Sequence, residues 1–358
     1  MSSHSFGGNF RLSIFGESHG VAIGGVIEGC PPGLAVDEQW IQKQMDRRRP
    51  ANTFFASQRH ETDIVEWLSG IENGISNGFP IAFIIRNSDQ RTADYKALKN
   101  SFRPSHADFT YYMKYGLAPP AGTGMASARL MAPVVAGGGI ARIFLQSKKI
   151  NIVAYVDEIG GIKMKKNMSS VNELSIDESL VRCPDKSTSV KMEGLLRQLQ
   201  KRGDTTGGTI CCTISGCPAG IGDPIFEKLQ ARLAHAIMSI PSVKGFEYGS
   251  GFAGTAMTGS EHNDIFIKKD GVIATKTNHS GGIQGGISNG MDITFRVAFK
   301  PVSAIHTKQQ TLDVNLKKTE IAIKGRHDIC VVPRAVPIVE AMAALVVTDS
   351  FLRNNTTC

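Results

Sequence analysis

MDITFRVAF, at residues 291–299, carries the clearest periodicity in the chain: Ile293, Phe295, Val297 and Phe299 alternate with Thr294, Arg296 and Ala298. A period of two puts the apolar set on one face of a strand and the other set on the opposite face. Working outward, the segments 10–15, 21–28, 64–69, 80–86, 151–157 and 208–215 read as further strands, apolar or alternating. Fewer, longer segments follow the helical period. Residues 37–47 open on Asp37 as N-cap, and 223–238 open Asp-Pro and repeat Phe226, Leu229, Leu233 and Ile237. Residues 336–352 carry Val339, Met342, Ala343 and Val346 on one stripe. A fourth helix spans about 125–146 and is interrupted by three glycines at 137–139, each costing roughly 1 kcal/mol against alanine in a helix. Close packing or a break is expected there. Strands and helices mix without the strict βαβα rhythm of a doubly wound sheet. The expectation is an α+β protein with largely antiparallel sheets, formed as a single domain over 1–358.

The chain has 358 residues, 41% hydrophobic and 20% charged, which describes a globular protein with ample core material. Its formal charge of +8 calls for an anionic partner. Nucleic-acid binders concentrate basic residues in runs or on one helix face. Here the only dense run is RRRP at 47–50, so a small, multiply anionic ligand fits at least as well as nucleic acid. The seven cysteines form no C-x-x-C pair and no zinc spacing, so no metal site is expected and they read as free thiols of a reducing cytosol. The N-terminal MSSHSFGGNF lacks the basic and apolar regions of a secretory signal, and no apolar run reaches the roughly 20 residues that cross a bilayer. A cytoplasmic protein without a membrane partner is expected.

GSGFAG at 249–254 matches G-x-G-x-x-G formally, but TAMTGSEHND after it has no helical stripe, which argues against a dinucleotide site. RRRP ends a helical segment, where cations also complement the helix dipole. Its alternative reading gains from FRPSHAD at 102–108 and GRHD at 325–328, where arginine again neighbours histidine or aspartate. Guanidinium groups bind phosphates and carboxylates bidentately, and imidazole can give a proton to a departing oxygen near pH 7. HSGGIQGGISNG at 279–290 is either a long glycine turn or exposed backbone N–H groups for a flat or phosphorylated ligand, with Lys300 and Ser303 at the end of the following strand.

Taken in order, these segments resemble the chorismate synthase family over nearly the whole chain. The matching stretches are GESHGVAIGGVIEGCPPG (16–33), DRRRP (46–50), LSGI (68–71), IRNSDQR (85–91) and FRPSHADFTYYMKYG (102–116). AHAIMSIPSVKG (234–245), GSEHND (259–264), GGIQGGISNGMDI (281–293) and KGRHDICVVPRAVPIVEAMAA (324–344) complete the set. The resemblance implies helices sandwiched between antiparallel sheets, and a homotetramer. It implies a 1,4-elimination of phosphate from 5-enolpyruvylshikimate 3-phosphate, giving chorismate, with reduced FMN (FMNH2) required although no net redox change occurs. NADPH enters only as an outside source of reductant.

By resemblance, His19 protonates the leaving phosphate, His106 protonates the reduced flavin, and Asp328 assists proton removal at the flavin. Ser18, Arg48, Arg49, Arg103, Arg129 and Arg326 are implied to bind substrate. Arg48, Met125, Ala126, Ser127, Pro241, Ser242, Gly285, Lys300, Pro301, Val302, Ser303, Ala304 and Arg326 are implied to bind cofactor. Some positions depart from the family. Met125, Ala126, Leu130 and Met131 replace an arginine, a serine, a glutamate and a threonine. Phe54 replaces an arginine linked with nicotinamide binding, Pro241 a frequent asparagine, and Ile329 a proline. These changes bear on flavin contacts more than on phosphate chemistry. The alternative is a diverged, non-catalytic paralogue that holds an anionic metabolite.

Overall fold

The structure, a computed structural model, describes residues 4–50, 53–57, 61–89, 101–117, 121–165, 173–323 and 327–355. Two five-stranded antiparallel sheets enclose the long helices. The first runs in the order Ser5–Phe6, Arg11–Gly16, Ala22–Glu28, Ile81–Arg86, Glu66–Trp67. The second runs Val243–Tyr248, Ile293–Phe299, Gly208–Ser215, Asn151–Ile159, Ile162–Lys163. Ile293–Phe299 lies inside this sheet with its four large apolar residues buried and the intervening ones half-buried. The period of two was the right reading.

Between the sheets lie Met131–Ser147, which packs on the first, and Val332–Asn355, which packs on the second and against Met131–Ser147. One continuous apolar core joins both sheets through these helices, with Phe10, Phe83, Ile140, Val339, Ile210 and Phe295 all essentially inaccessible. Both helices are long and apolar enough to cross a membrane, yet 89% of each apolar window is buried inside the fold.

The three glycines do not break their helix. A Cβ on Gly137 would sit 2.9 Å from Leu12, one on Gly138 2.4 Å from the Ala341 Cβ, and one on Gly139 3.1 Å from Ile41. Three successive bare positions thus admit a strand, the C-terminal helix and the first helix, Glu38–Arg48. Dispersion across these contacts offsets their poor helix propensity.

Some expectations need correction. Residues 223–238 form no single helix: a short 3₁₀ turn at Ile225–Glu227 precedes a helix confined to Leu229–Met238, and Phe226 is exposed. The segment 64–69 pairs only at Glu66–Trp67. The helix expected from about 125 starts at Met131, after two 3₁₀ turns. Helices Asp108–Tyr115 and Lys186–Arg202 and strand Val243–Tyr248 were not read from the sequence. The first helix does begin on Asp37, whose side chain accepts from the Trp40 N–H.

Candidate active site

GESHG lies in the connection between the first two long strands. Gly16 holds φ +94°, and a Cβ there would meet the Ala22 carbonyl oxygen at 2.4 Å, so only glycine lets the chain turn so closely. The turn that follows buries Ser18 and leaves His19 half-buried. It is closed by the Gly20 N–H donating to the Glu17 carbonyl at 3.1 Å. Glu17 is exposed, and its backbone carbonyl serves the turn, accepting from the Gly20 N–H and from Asn87.

Asn87 holds this turn from the end of strand Ile81–Arg86. Its Nδ2 donates to the carbonyls of Glu17 (3.0 Å) and Gly20 (2.8 Å), and its Oδ1 accepts from Arg129 Nε at 2.9 Å. Arg129 in turn donates to Asp63 Oδ1, and Arg48 donates to Asp63 Oδ2. Asp63 is wholly inaccessible. Burial alone would raise its carboxyl, but Arg48 and Arg129 bring it down to about 2, so it remains ionised. Burial, opposed by Asp63 and reinforced by Arg334 and Arg129, lowers the Arg48 guanidinium to about 10. Arg48 Nε is buried without a partner among the described residues.

Arg334 continues the chain of contacts. It donates to the Arg48 carbonyl at 3.2 Å and to Asp328 Oδ2 at 2.6 Å, while Asp328 Oδ1 accepts from the Ser57 N–H at 2.8 Å. The His19 turn, Arg48, Arg129 and Asp328 therefore meet in one network. Arg49 points elsewhere: it donates to the Thr62 carbonyl at 2.9 Å and pairs with Asp46.

A second group gathers around FRPSHAD. Arg103 is buried and forks onto Asp108 through Nε (2.7 Å) and Nη2 (2.6 Å). His106 Nδ1 lies 3.1 Å from the same carboxylate, which is held low against burial by Arg103 and His106. An ionised carboxylate only accepts, so Nδ1 carries the proton and Nε2 is left for chemistry. Lys300 Nζ and Ser303 Oγ both donate to the Ser105 carbonyl, and the Lys300 N–H donates to the carbonyl of Ser242, a residue held at φ +72°. Segment 300–304, with Pro301, Val302 and Ala304, thus lies beside His106.

Residues 327–329 join the two groups. The Ile329 N–H donates to the Phe55 carbonyl on the Arg48 side, and its carbonyl accepts from the Thr206 N–H, beside Thr205, whose hydroxyl holds the Val302 carbonyl. Burial, aided by Arg103 and His306, lowers His327 to about 4, so the ring is neutral near pH 7. Its Nε2 is buried without a partner among the described residues. Arg326 lies outside the described residues.

Not every implied residue joins. Gly285 belongs to the hairpin before strand Ile293–Phe299 and lines a cleft of about 600 Å³ with His262 and His279, whereas Lys300 follows the strand's far end. None of the residues 300–304 lines that cleft. Met125 and Ala126 line a cleft of about 980 Å³ that also touches Ala107, Tyr111, Leu130 and Met131; Ser127 caps the turn carrying Arg129. Phe54 stacks under the Arg197 guanidinium at 4.1 Å. Sequence reasoning missed Asp63, Asn87, Asp108 and Arg334. Asn87, Asp108 and Arg334 lie inside stretches quoted above for other residues (85–91, 102–108 and 324–344), so only Asp63, just before the strand-like 64–69, carried no local signal.

A family model described as chorismate synthase matches residues 10–352. Relatives include the chorismate synthases of Christiangramia forsetii, 52% identical over 354 residues and 99% of both chains, and Phocaeicola vulgatus, 48% identical over the same shares. That of Prochlorococcus marinus is 49% identical over 356 residues, covering 99% of this chain and 98% of its own. A crystal structure of chorismate synthase superposes with a TM-score of 0.75 at 27% identity, covering 97% of this chain and 93% of that one.

Proposed function

The chain belongs to the chorismate synthase family, and from that premise we infer how its two groups of residues divide the work. It is a carbon–oxygen lyase, and the reaction is the 1,4-elimination of phosphate from 5-enolpyruvylshikimate 3-phosphate to give chorismate. The C–O bond breaks with its electron pair leaving on phosphate, and a ring hydrogen departs as a proton. A non-catalytic relic is not favoured: the relatives over the full length carry the enzyme's name, and the histidines, aspartate and arginines meet in connected networks.

Arg48 and Arg129, with Ser18 and with Arg103 from the second group, bind the phosphate and carboxylates of the substrate; the same role for Arg49 and Arg326 rests on the family resemblance alone. The observation that carries this reading is the single network from the His19 turn through Asn87, Arg129, Asp63, Arg48 and Arg334 to Asp328. In it a histidine stands beside a cluster built for anions. His19 gives a proton to the departing phosphate oxygen, which makes it a better leaving group. His106, with Nδ1 turned to Asp108, acts through Nε2. Both Asp328 oxygens already accept one hydrogen bond and keep a second lone pair, so Asp328 receives a proton only in a fixed direction.

The residues present fit reduced FMN. The buried His327 Nε2 needs a partner, Lys300 offers a cation, and 300–304 lies beside Ser242 and His106. When bound there, the flavin supplies electron density that assists departure of the phosphate. Ser242, Lys300, Ser303 and Ala304, with Met125 and Ala126 at the neighbouring cleft and Ser127 next to them in the chain, would hold it; Pro241 sets the approach to Ser242. NADPH serves only as an outside reductant. We also propose a single domain, supported by the continuous core, and a homotetramer, supported by exposed Phe79, Phe226 and Phe252. The six described cysteines are all free, in keeping with a reducing cytoplasm.

The test is anaerobic phosphate release from 5-enolpyruvylshikimate 3-phosphate with reduced FMN. Turnover is the expected result. Tight substrate binding with no release of phosphate would restore the relic.

A further inference from the structure

Asn87 commits its whole side chain to three partners, Arg129 on one side and the Glu17 and Gly20 carbonyls on the other. Arg129 can only donate, so Oδ1 must face it; the Glu17 and Gly20 carbonyls can only accept, so Nδ2 must face them. A flipped amide would set donor against donor on one side and acceptor against acceptor on the other. The Asn87 N–H also donates to the Val21 carbonyl at 3.1 Å, which fixes its backbone to the same loop.

Deeper in the same network, Asp63 fixes the arginines as Asn87 fixes the turn. It is fully buried at φ +51°, a left-handed conformation that a non-glycine residue keeps only where its surroundings over-determine it. Gln42 Nε2 donates to its carbonyl at 3.2 Å, and its two carboxylate oxygens hold one guanidinium each. One residue thus anchors one nitrogen of each guanidinium, and another ties Arg129 to the His19 turn.

We propose that Asn87 is a positioning residue that holds the His19 turn in register with the Arg129 guanidinium, with Asp63 extending the same frame to Arg48. An anion bound by the arginines then lies where His19 can reach its leaving oxygen. This inference rests on the reading of His19 and the arginines given above. Misplacement of a reacting group by an ångström costs about 100-fold in rate, so a residue that touches no substrate can govern turnover.

Asn87→Asp separates the two sides, since it keeps an acceptor for Arg129 but offers no donor to the turn. Phosphate release by the wild type and the variant, under the same anaerobic assay with reduced FMN, is the measurement, with urea midpoints to count folded protein. The expected result is a KM within about three-fold of wild type and a kcat at least about ten-fold lower, with the pH dependence attributed to His19 displaced. Asn87→Leu, which abandons both sides, lowers kcat and raises KM. A wild-type kcat in folded Asn87→Asp, or a loss confined to KM, overturns the proposal. Should Asn87→Asp not fold, Asn87→Ser takes its place, and an unchanged kcat there is equally fatal. An inactive wild type would count against the proposed function instead.

Discussion

Arg334 donates to Asp328 across 2.6 Å, and this contact ties the C-terminal helix to the segment that carries His327. Both side chains are mostly buried, at 19% and 14% exposure, so the pair is little screened by solvent. Arg334→Met should leave the carboxylate without its cation, and Asp328→Asn should leave the guanidinium turned from its place. Each should lower turnover by about ten-fold or more, with the double variant no worse than the worse single one. A coupling of about 1 kcal/mol or more in activation free energy is expected from the cycle. Strict additivity would show that the two act separately.

His19→Ala should bind substrate and flavin nearly as wild type does, because the arginines and segment 300–304 are untouched. Loss of a general acid lowers turnover by roughly 10²–10⁴-fold. Substrate binding by calorimetry beside phosphate release checks both halves. Wild-type turnover would remove His19 from the chemistry.

Gly138→Ala pits two effects against each other. Helix propensity favours alanine by about 1 kcal/mol. Yet the new methyl would lie 2.4 Å from the Ala341 Cβ and 2.6 Å from its Cα, where neither helix can yield without moving the core. Overpacking costs typically about 1–3 kcal/mol or more, so the variant should be less stable in urea. A gain in stability would mean that the two helices can separate freely.

His327 should make stability depend on pH. Burial lowers its folded value to about 4 from the ordinary 6.5. The unfolded chain therefore binds the proton first as pH falls. The stabilisation is complete above about pH 6.5 and is lost progressively down to about pH 4. Between pH 7.5 and 5 the wild type should lose about 2 kcal/mol more in urea unfolding than His327→Gln does. Equal slopes would show that the ring is not held neutral.

Much of this was legible without coordinates. The alternation at 293–299, the Asp37 cap and the lack of a βαβ rhythm are local properties of adjacent residues, and they carried the antiparallel α+β reading. His19, His106 and Asp328 were legible because they sit in short polar segments that resemble a known family. The helix at 223–238 was misread because Phe226 continues an apolar period that the Asp-Pro turn interrupts. Helix Lys186–Arg202 was missed because only Thr188, Ser189, Met192 and Leu196 are buried along it, too thin a stripe to stand out.

By itself the sequence determined which residues carry charge, which segments repeat with a period of two or 3.6, and which family the ordered motifs match. Only the tertiary structure decided that Gly137, Gly138 and Gly139 admit three different elements, that Asp63 and Asn87 join the arginines to the His19 turn, and that Gly285 lines a cleft to which residues 300–304 do not contribute. The physical reason is distance along the chain. Periodicity and capping depend on neighbours a few residues away, whereas Arg129 meets Asp63 across 66 positions and Arg334 meets Arg48 across 286. Contacts of that span exist only once the core has folded.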